Sequence, residues 1–519
     1  MIRHYTAHNN GGCVGAAIEI PIAGLHSPFC ARKNAYKKGK GIFVAKDNTV
    51  NSPLTENKLN RSLKLIYVYA IATGAIFTFI GYWDSIFYEY CGPATFLAFL
   101  LMTALILPIA FVYCDLAPLF PEAGGELIYN TVGLNKHCGF LSAWLIMAAW
   151  IAVPPAAIMA IVQWIFHVTN INSSFTVLEI VSAVLLVGYF ILSLQNVEVA
   201  GKIQLVMLAL AITGCIAASI AFITSGQWSL DNFSNFFYSQ SKSSFGIPSW
   251  IIGMAFLITP FFGFETVPQM IEEGDFPVKD STKAIWGSVV TCGVIYAFFF
   301  IGVGGMNAQP LVEEGGAATG GFLAIYLMEQ FGTTGWRVFA ILFGICAILC
   351  AIGTCLLGFW LSTVRLLYAM GRTNFLPASF AKLNKHQQPI IPNILLLVVS
   401  IVFLVLQNAG TFMNDFFNLM AFGCACAYAL TMISAIRMHK QHPDWKSGYH
   451  LKGGNFTRYL ALVISVVIAF FCTLGQGVGS WISFAVYMGI GVILWAWMVL
   501  FRWKKTKVVV DTPDGPKEY

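Results

Sequence analysis

The sequence predicts an all-α transmembrane protein, and three observations point to this class. Hydrophobic residues make up 57% of the 519 residues, charged residues make up only 10%, and the mean hydropathy is +0.72. A soluble domain carries roughly 25% charged residues, so water is not the main solvent of this surface. We therefore expect a bundle of helices whose partner is the lipid bilayer.

Twelve segments are long and apolar enough to be spanning helices, each of which needs about 20 mostly apolar residues. They lie near residues 66–87, 93–114, 139–166, 176–194, 203–224, 247–268, 284–306, 338–364, 390–407, 413–436, 459–476 and 480–501. We expect them to form one transporter-sized domain over 65–503. A disordered N-terminal tail at 1–64 and a C-terminal tail at 504–519, of which residues 511–519 are expected to be flexible, flank that domain.

Lysine and arginine are unevenly divided between the loops. With twelve spans both termini lie on one side, and 28 of the 30 basic residues then fall on that side, with Lys242 and Arg337 as the exceptions. Basic residues concentrate in cytoplasmic loops, so we expect cytoplasmic termini in a plasma (inner) membrane protein. The basic residues form no stripe interleaved with aromatic residues, so no nucleic-acid partner is expected.

Two of the predicted spans contain helix-breaking residues. These are Gly74 and Gly81 in the first span, and Pro260 and Gly263, just before Glu265, in the sixth. Proline removes a helix hydrogen bond and kinks the chain, and non-helical backbone at membrane depth is tolerated where it lines a cavity. Local unwinding is therefore predicted in both spans. Breaks five spans apart are typical of two inverted five-helix repeats.

Acidic residues inside membrane spans are rare and usually functional. Glu265 is the strongest candidate because it lies well before the loop acids Glu272 and Glu273. Asp84, which follows two aromatic residues, would suit an amine through charge and cation–π contact. Asp115, at the inner end of the second span, is expected to be an interface or gate residue.

Three stretches resemble motifs of the amino acid–polyamine–organocation superfamily of permeases. They are Pro-Glu-Ala-Gly-Gly-Glu-Leu-Ile-Tyr at 121–129 followed by 139–144, Gly-Phe-Glu-Thr at 263–266 followed by 272–273 and 283–285, and Arg-Leu-Leu-Tyr-Ala-Met-Gly-Arg at 365–372 closing at 375–377. The resemblance covers roughly residues 65–500. It implies a LeuT-like five-plus-five inverted repeat with two extra C-terminal helices.

The resemblance also implies that substrate is held at mid-membrane, against unwound backbone of spans one and six. Free amides at a half-helix N-terminus suit a carboxylate, and free carbonyls at a C-terminal end suit an ammonium. The predicted substrate-binding residues are Gly74, Ala75, Thr78, Phe79, Gly81, Asp84, Trp150, Phe261, Phe262, Gly263, Phe264, Glu265 and Trp360. For the two tryptophans, simple packing is an open alternative.

The first break departs from the superfamily pattern. Many relatives carry a short Gly-x-Gly there, whereas here Gly74 is followed by no glycine before Gly81. A substrate other than a standard α-amino acid therefore stays open. We predict a secondary active transporter for amino acids or related small amines that works by alternating access, with no cofactor.

Other functions remain as alternatives to this prediction. A polyamine or organic-amine permease or exchanger is the nearest, and a non-transporting membrane sensor or subunit belongs to another class. An enzyme is not expected, because the sequence shows no nucleotide-binding loop, no metal-ligand motif and no nucleophile–base set. The oligomeric state is left open.

The coupling ion, H⁺ or Na⁺, is also left open. Some proton-driven relatives carry a lysine inside span five, but the comparable position here is near Ala211, and Lys202 lies at the end of that span. A sodium site would need span-eight hydroxyls facing span-one carbonyls. Thr354, Ser362 and Thr363 supply such hydroxyls, although these residues commonly bond to their own helix.

Overall fold

The computed structural model describes residues 58–77, 80–171, 174–313, 321–407, 412–474 and 476–519. Within these ranges, eleven helices are long and apolar enough to cross a membrane, and Leu65–Ile76 is a shorter apolar helix. The predicted count of twelve is thus not confirmed. The difference arises in the first predicted span, where the helix stops at Ile76, resumes at Asp84 and runs through a 3₁₀ turn into the second span.

The helices are numbered in chain order. They are α1 (Leu65–Ile76), α2 (Asp84–Cys91), α3 (Thr95–Leu116), α4 (Glu126–Gly133), α5 (Lys136–Thr169), α6 (Phe175–Ser193), α7 (Val197–Ile223), α8 (Ser249–Phe256), α9 (Thr266–Met270), α10 (Ser281–Gly304), α11 (Gln309–Glu313), α12 (Leu323–Glu329), α13 (Thr334–Gly344), α14 (Gly353–Arg372), α15 (Ile390–Gln407), α16 (Phe412–Gln441), α17 (Asn455–Thr473) and α18 (Val478–Trp497). A π-helical segment, Ile345–Ile352, joins α13 to α14, and another, Met498–Arg502, extends α18.

Helix α5 shows how local sequence sets the ends of these helices. The side chain of Asn135 accepts a hydrogen bond from the backbone N–H of Cys138 at 2.9 Å, which satisfies one of the unpaired donors of the first turn. The helix ends at Thr169 because Asn170 adopts a left-handed conformation with φ +52°.

Burial separates a central set of helices from a peripheral set. In the most apolar stretch of α5, 94% of the residues are buried, against 17% in α6 and in α18. The side chains of Val184 on α6 and Ile493 on α18 are largely exposed. A water-soluble surface would not carry such apolar rows, so these faces suit contact with lipid. The core of the molecule lies around α1, α5, α10 and α14.

The C-terminal tail is ordered, contrary to the predicted flexibility of residues 511–519. Strands β1 (Val509–Thr512) and β2 (Gly515–Glu518) pair antiparallel as a hairpin. The backbone N–H of Val509 donates to the carbonyl of Thr373 at 3.3 Å, and Nζ of Lys136 donates to the carbonyl of Tyr519 at 3.2 Å. We call this end of the helix bundle the hairpin face.

Part of the predicted N-terminal tail is also ordered. Leu63 is fully buried and forms a bridge with Gly274, and the N–H of Ser62 donates to the carbonyl of Glu273 at 3.0 Å. These contacts fix residues 58–64 beside the loop after the sixth span. The remainder of the tail, 1–57, lies outside the described residues.

Candidate functional site

The sixth predicted span contacts the first at Gly263, which lies against the last turn of α1. Gly263 has φ +142°, and a Cβ atom built on it would lie 2.8 Å from the backbone nitrogen of Ile76 and 2.9 Å from Cβ of Ala75. Only glycine fits so close an approach. The segment between α8 and α9 therefore packs directly on the carbonyl end of α1.

The carbonyls that end α1 receive side-chain donors from neighbouring helices. Tyr296 of α10 donates its hydroxyl to the carbonyl of Ile76 at 2.7 Å, and the hydroxyl of Thr354 on α14 donates to the carbonyl of Gly74 at 3.3 Å. Helix-end carbonyls carry partial negative charge. The end of α1 is thus held in place by hydroxyl groups, at the position where the sequence predicts an ammonium group.

Glu265 is fully buried and joins three elements. Its Oε1 accepts the indole N–H of Trp150 at 3.3 Å, and its Oε2 accepts the N–H of Gly263 at 2.9 Å and the hydroxyl of Tyr428 at 3.2 Å. Two other predicted site residues, Trp150 and Gly263, therefore bond directly to Glu265. Tyr428, on α16, was not predicted; its only signal is that it follows a run of small residues, 423–427.

The three phenylalanines of the sixth span face different neighbours. The ring of Phe264 lies 5.2 Å from that of Tyr113 and 5.5 Å from that of Tyr428, and Phe262 also approaches Tyr428. Phe261 instead packs 6.1 Å from Phe99 of α3. Phe262 and Phe264 thus form an aromatic wall around Glu265, whereas Phe261 belongs to the α3 packing.

Trp360 does not join this group, and its place at a substrate site stays a prediction. Its indole N–H donates to Oδ1 of Asn393 on α15 at 2.7 Å, and its ring lies 5.7 Å from that of Tyr189 on α6. It sits on a different side of α14 from the residues that contact α1, so packing explains it. Thr78 and Phe79 lie outside the described residues.

Asp84 and Gly81 lie beyond the break in the first predicted span. The carboxylate of Asp84 accepts the backbone N–H groups of Leu323 at 3.1 Å and Ala324 at 3.0 Å, which is a helix cap on α12. Gly81 has φ +91° and packs closely on Ala347. The geometry therefore gives Asp84 a capping role, and the amine-binding role stays a prediction.

A glutamine that the sequence analysis did not single out reaches the α1–α14 contact. Nε2 of Gln204 on α7 donates to the carbonyl of Thr354 at 2.8 Å and to that of Ala70 at 3.5 Å. A Cβ atom on Gly74 would lie 2.5 Å from this nitrogen. From α7, Gln204 thus bonds to both α1 and α14 at their contact. It lies seven residues before Ala211, the position compared above with the lysine of proton-driven relatives.

An ionic cluster of five residues lies near the hairpin face, where the three motif stretches meet. Arg365 pairs with Glu273 through two bonds of 2.9 and 3.0 Å. Arg372 pairs with Glu272 at 2.8 Å and with Glu122 at 3.4 Å. All are buried or nearly so. Breaking such pairs is costly, so the cluster ties the three stretches to one another.

The C-terminal hairpin extends the ionic cluster. The carboxyl group of Asp511 lies beside that of Glu122. Burial raises the pKa of Glu122 to about 7; the charge of Arg372 opposes this rise, and Asp511 adds to it. A second ion pair lies at the C-terminal end of α3, where Nη2 of Arg458 donates to Oδ2 of Asp115 at 2.6 Å.

Comparison with known proteins identifies the family. A family model described as amino acid permease matches residues 63–500. The chain belongs to the amino acid permease family. Membership of the amino acid–polyamine–organocation superfamily, which the three motif stretches implied, is thereby confirmed. The permease is a multi-pass integral membrane protein of a transporter family and not an enzyme.

Named relatives of the permease are transporters of several small molecules. It is 22% identical to the methylthioribose transporter of Bacillus subtilis (strain 168), over 78% of this chain and 85% of the relative. It is 23% identical to the glutamate/serine transporter AimA of the same organism, over 80% and 78% of the two chains. It is 24% identical to the branched-chain amino acid permease BcaP of Lactococcus lactis subsp. cremoris (strain MG1363), over 67% and 74%.

Proposed function

We propose that the permease is a secondary active transporter that moves amino acids or related small amines by alternating access. The substrate lies between the end of α1 and the α8–α9 segment, beside Trp150 and Phe264. The observation that carries this proposal is the contact of Gly263 with the end of α1, next to the buried Glu265 carboxylate. Broken helices are characteristic of substrate sites in transporters.

The charges around this contact suit a small ligand with a cationic group. The carbonyl end of α1 and the carboxylate of Glu265 are both negative, and the rings of Phe262 and Phe264 pack against Tyr428, which bonds to that carboxylate. An ammonium group gains from all three features. Polyamines or organic amines, moved by uniport or exchange, are the second candidate class, because the first predicted span lacks the Gly-x-Gly pattern that would suit a substrate carboxyl group.

We also propose a twelve-span topology with a five-plus-five inverted repeat, two extra C-terminal helices and cytoplasmic termini in the plasma membrane. The breaks five spans apart support the repeat. The assignment of 28 of 30 basic residues to one side supports the orientation. The hairpin face is then the cytoplasmic face, and the ionic cluster is the cytoplasmic gate.

As coupling ion we propose H⁺ and not Na⁺. Thr354 does face the carbonyl of Gly74 at 3.3 Å, but its hydroxyl makes the shorter hydrogen bond, of 2.6 Å, to the carbonyl of Ala351 three residues earlier in the chain. Ser362 and Thr363 bond to carbonyls of their own helix. Replacing Na⁺ by choline should leave uptake unchanged; uptake that requires Na⁺ would refute this choice.

The test of the function is uptake by the purified full-length chain in proteoliposomes. The panel holds labelled L-glutamate, L-serine, L-leucine, methylthioribose, putrescine and spermidine. Saturable uptake and counterflow of at least one compound are expected. Saturable uptake of polyamines alone favours the second class. If no compound of the panel is taken up, although the protein unfolds cooperatively on heating and is therefore folded, the non-transporting sensor or subunit is favoured.

A further inference from the structure

A second buried carboxyl group lies close to Glu265. Glu126, the first residue of α4, is fully buried, and its charge and that of Glu265 repel one another. Among the residues described, no lysine, arginine or histidine forms an ion pair with either. Two buried carboxylates without a counter-charge are very unfavourable. The pair therefore needs one positive charge.

The hydrogen bonds distinguish the two carboxyl groups. Glu265 accepts three N–H or O–H donors, an arrangement that favours a carboxylate. On Glu126, Oε2 accepts Nε2 of Gln269 at 3.3 Å, and Oε1 is buried with no partner at bonding distance. The hydroxyl of Tyr113 faces the carboxyl group of Glu126 and interacts with it, whereas the hydroxyl of Tyr129 is buried without a partner among the described residues. Buried polar atoms whose hydrogen bonding is incomplete thus lie around Oε1 of Glu126.

Within the part of the chain that the structure describes, the groups that face Glu126 supply no permanent positive charge. The titratable ones are Glu265 from the sixth span, Tyr113 from α3, Tyr428 and Cys424 from α16, and Tyr129 from its own helix. From α5, Ser142 reaches only the backbone carbonyl of Glu126, and strand β1 brings Asp511 to Glu122, one turn earlier. Burial, followed by the charge of Glu265, raises the pKa of Glu126 to about 8.

The loop that leads into α4 at Glu126 connects the ionic cluster to the sixth span. Glu122, in the same loop, pairs with Arg372. The N–H of Gly124 donates to Oε1 of Gln269 on α9 at 3.1 Å, while Nε2 of Gln269 holds Glu126. Separation of Glu122 from Arg372 would therefore move Gln269 and Glu126 together and admit water to the pair.

We propose that Glu126 is the proton-binding residue of the transport cycle. Its Oε1 holds a proton while the ionic cluster is closed, and the proton passes to water on the hairpin face when the cluster opens. Glu126 then returns as a carboxylate that takes up a proton from the opposite side. This inference rests on the proposed function, since it requires that the chain transports.

The test measures proton flux and substrate flux in the same proteoliposomes, with pyranine trapped inside. The substrate is the panel compound that the wild type takes up. In the wild type, substrate uptake should acidify the lumen. In Glu126→Gln, we expect the proton signal to fall by about tenfold or more, while substrate-for-substrate exchange stays within about threefold. Glu198→Gln, which removes a surface acid paired with Lys202, should change neither flux.

Several results would overturn the inference. Proton movement at the wild-type ratio in Glu126→Gln excludes Glu126, and loss of cationic substrates alone makes the pair an ammonium site. Substrate flux without proton flux in the wild type refutes the inference but leaves the proposed function standing; no flux of any compound refutes the proposed function. If Glu126→Gln does not fold, Glu126→Asp is measured instead. The pH midpoint of uptake by Glu126→Asp must differ from that of the wild type, and an unchanged midpoint refutes the proton-binding role of Glu126.

Discussion

The indole N–H of Trp150 donates to Oε1 of Glu265 at 3.3 Å, in a fully buried contact that joins α5 to the break in the sixth span. A hydrogen bond to a charged group contributes about 1.5–3 kcal/mol. Trp150→Phe should therefore lower the apparent melting temperature and raise the KM of uptake. The measurement is thermal unfolding together with uptake kinetics in proteoliposomes.

Trp360→Phe is the matched control for that substitution. Trp360 is equally buried and also loses one hydrogen bond, to Asn393, but it packs against α6 and α15. We expect a similar loss of stability with an unchanged KM. Equal effects of the two substitutions on KM would remove Trp150 from the substrate site.

Gly263→Ala should abolish most uptake. The added Cβ would lie 2.8 Å from the backbone nitrogen of Ile76, and φ +142° is strained for any residue with a side chain. Such strain costs about 1–3 kcal/mol, before the displacement of α1 is counted. Uptake and melting temperature should both fall. Gly188→Ala, on the lipid-facing α6 where nothing lies within 4 Å, should leave both at wild-type values; normal uptake by Gly263→Ala would contradict the close contact.

The sequence predicts the helical architecture well, because apolar length is a local property that any spanning segment must show. It also identifies Gly263 and Glu265, since an acid beside a glycine inside a span is rare unless it serves a function. It does not predict Gln204, Tyr428 or Glu126 as parts of one region. Their roles depend on which helices are neighbours. The local sequence around an amide or hydroxyl group on an apolar helix does not show which group it will hydrogen-bond in the folded protein.

The differences between sequence and structure have the same physical origin. Trp360 shares its helix with Thr354, and only the rotation of α14 against its neighbours shows that Trp360 packs against α6 and α15 while Thr354 faces α1. Residues 511–519 of the C-terminal tail are predicted to be flexible, but they form a hairpin with the residues just before them. Val508 and Val510 are buried against the hairpin face, a surface that exists only after the helices have packed.

Asp84→Asn separates the capping role of Asp84 from an amine-binding role. The carboxylate caps α12 through two backbone N–H groups, and loss of a cap costs about 1 kcal/mol. The uncharged amide retains one acceptor oxygen, so we expect a modest fall in melting temperature and equal, small losses of uptake for cationic and neutral substrates. A loss restricted to cationic substrates would show instead that Asp84 binds the amine.

Asp511→Asn should make the folding stability of the protein less dependent on pH, because Asp511 raises the pKa of Glu122. The pKa of Glu122 is raised to about 7, chiefly by burial and further by Asp511, against about 4.3 for an unfolded chain. A raised carboxyl pKa means that the folded state binds the extra proton. The contribution of this group is therefore fully present below about pH 4.3 and is lost as pH rises through 7. Without the Asp511 charge, the pKa of Glu122 falls, and the loss of folding stability between pH 5 and pH 8 becomes smaller.

Melting temperatures of the wild type and of Asp511→Asn at pH 5 and pH 8 measure this change. Asp514→Asn, in the same hairpin but paired with Lys517 at the surface, should leave the contribution of Glu122 intact. An unchanged pH dependence in Asp511→Asn would show that the hairpin does not act on Glu122.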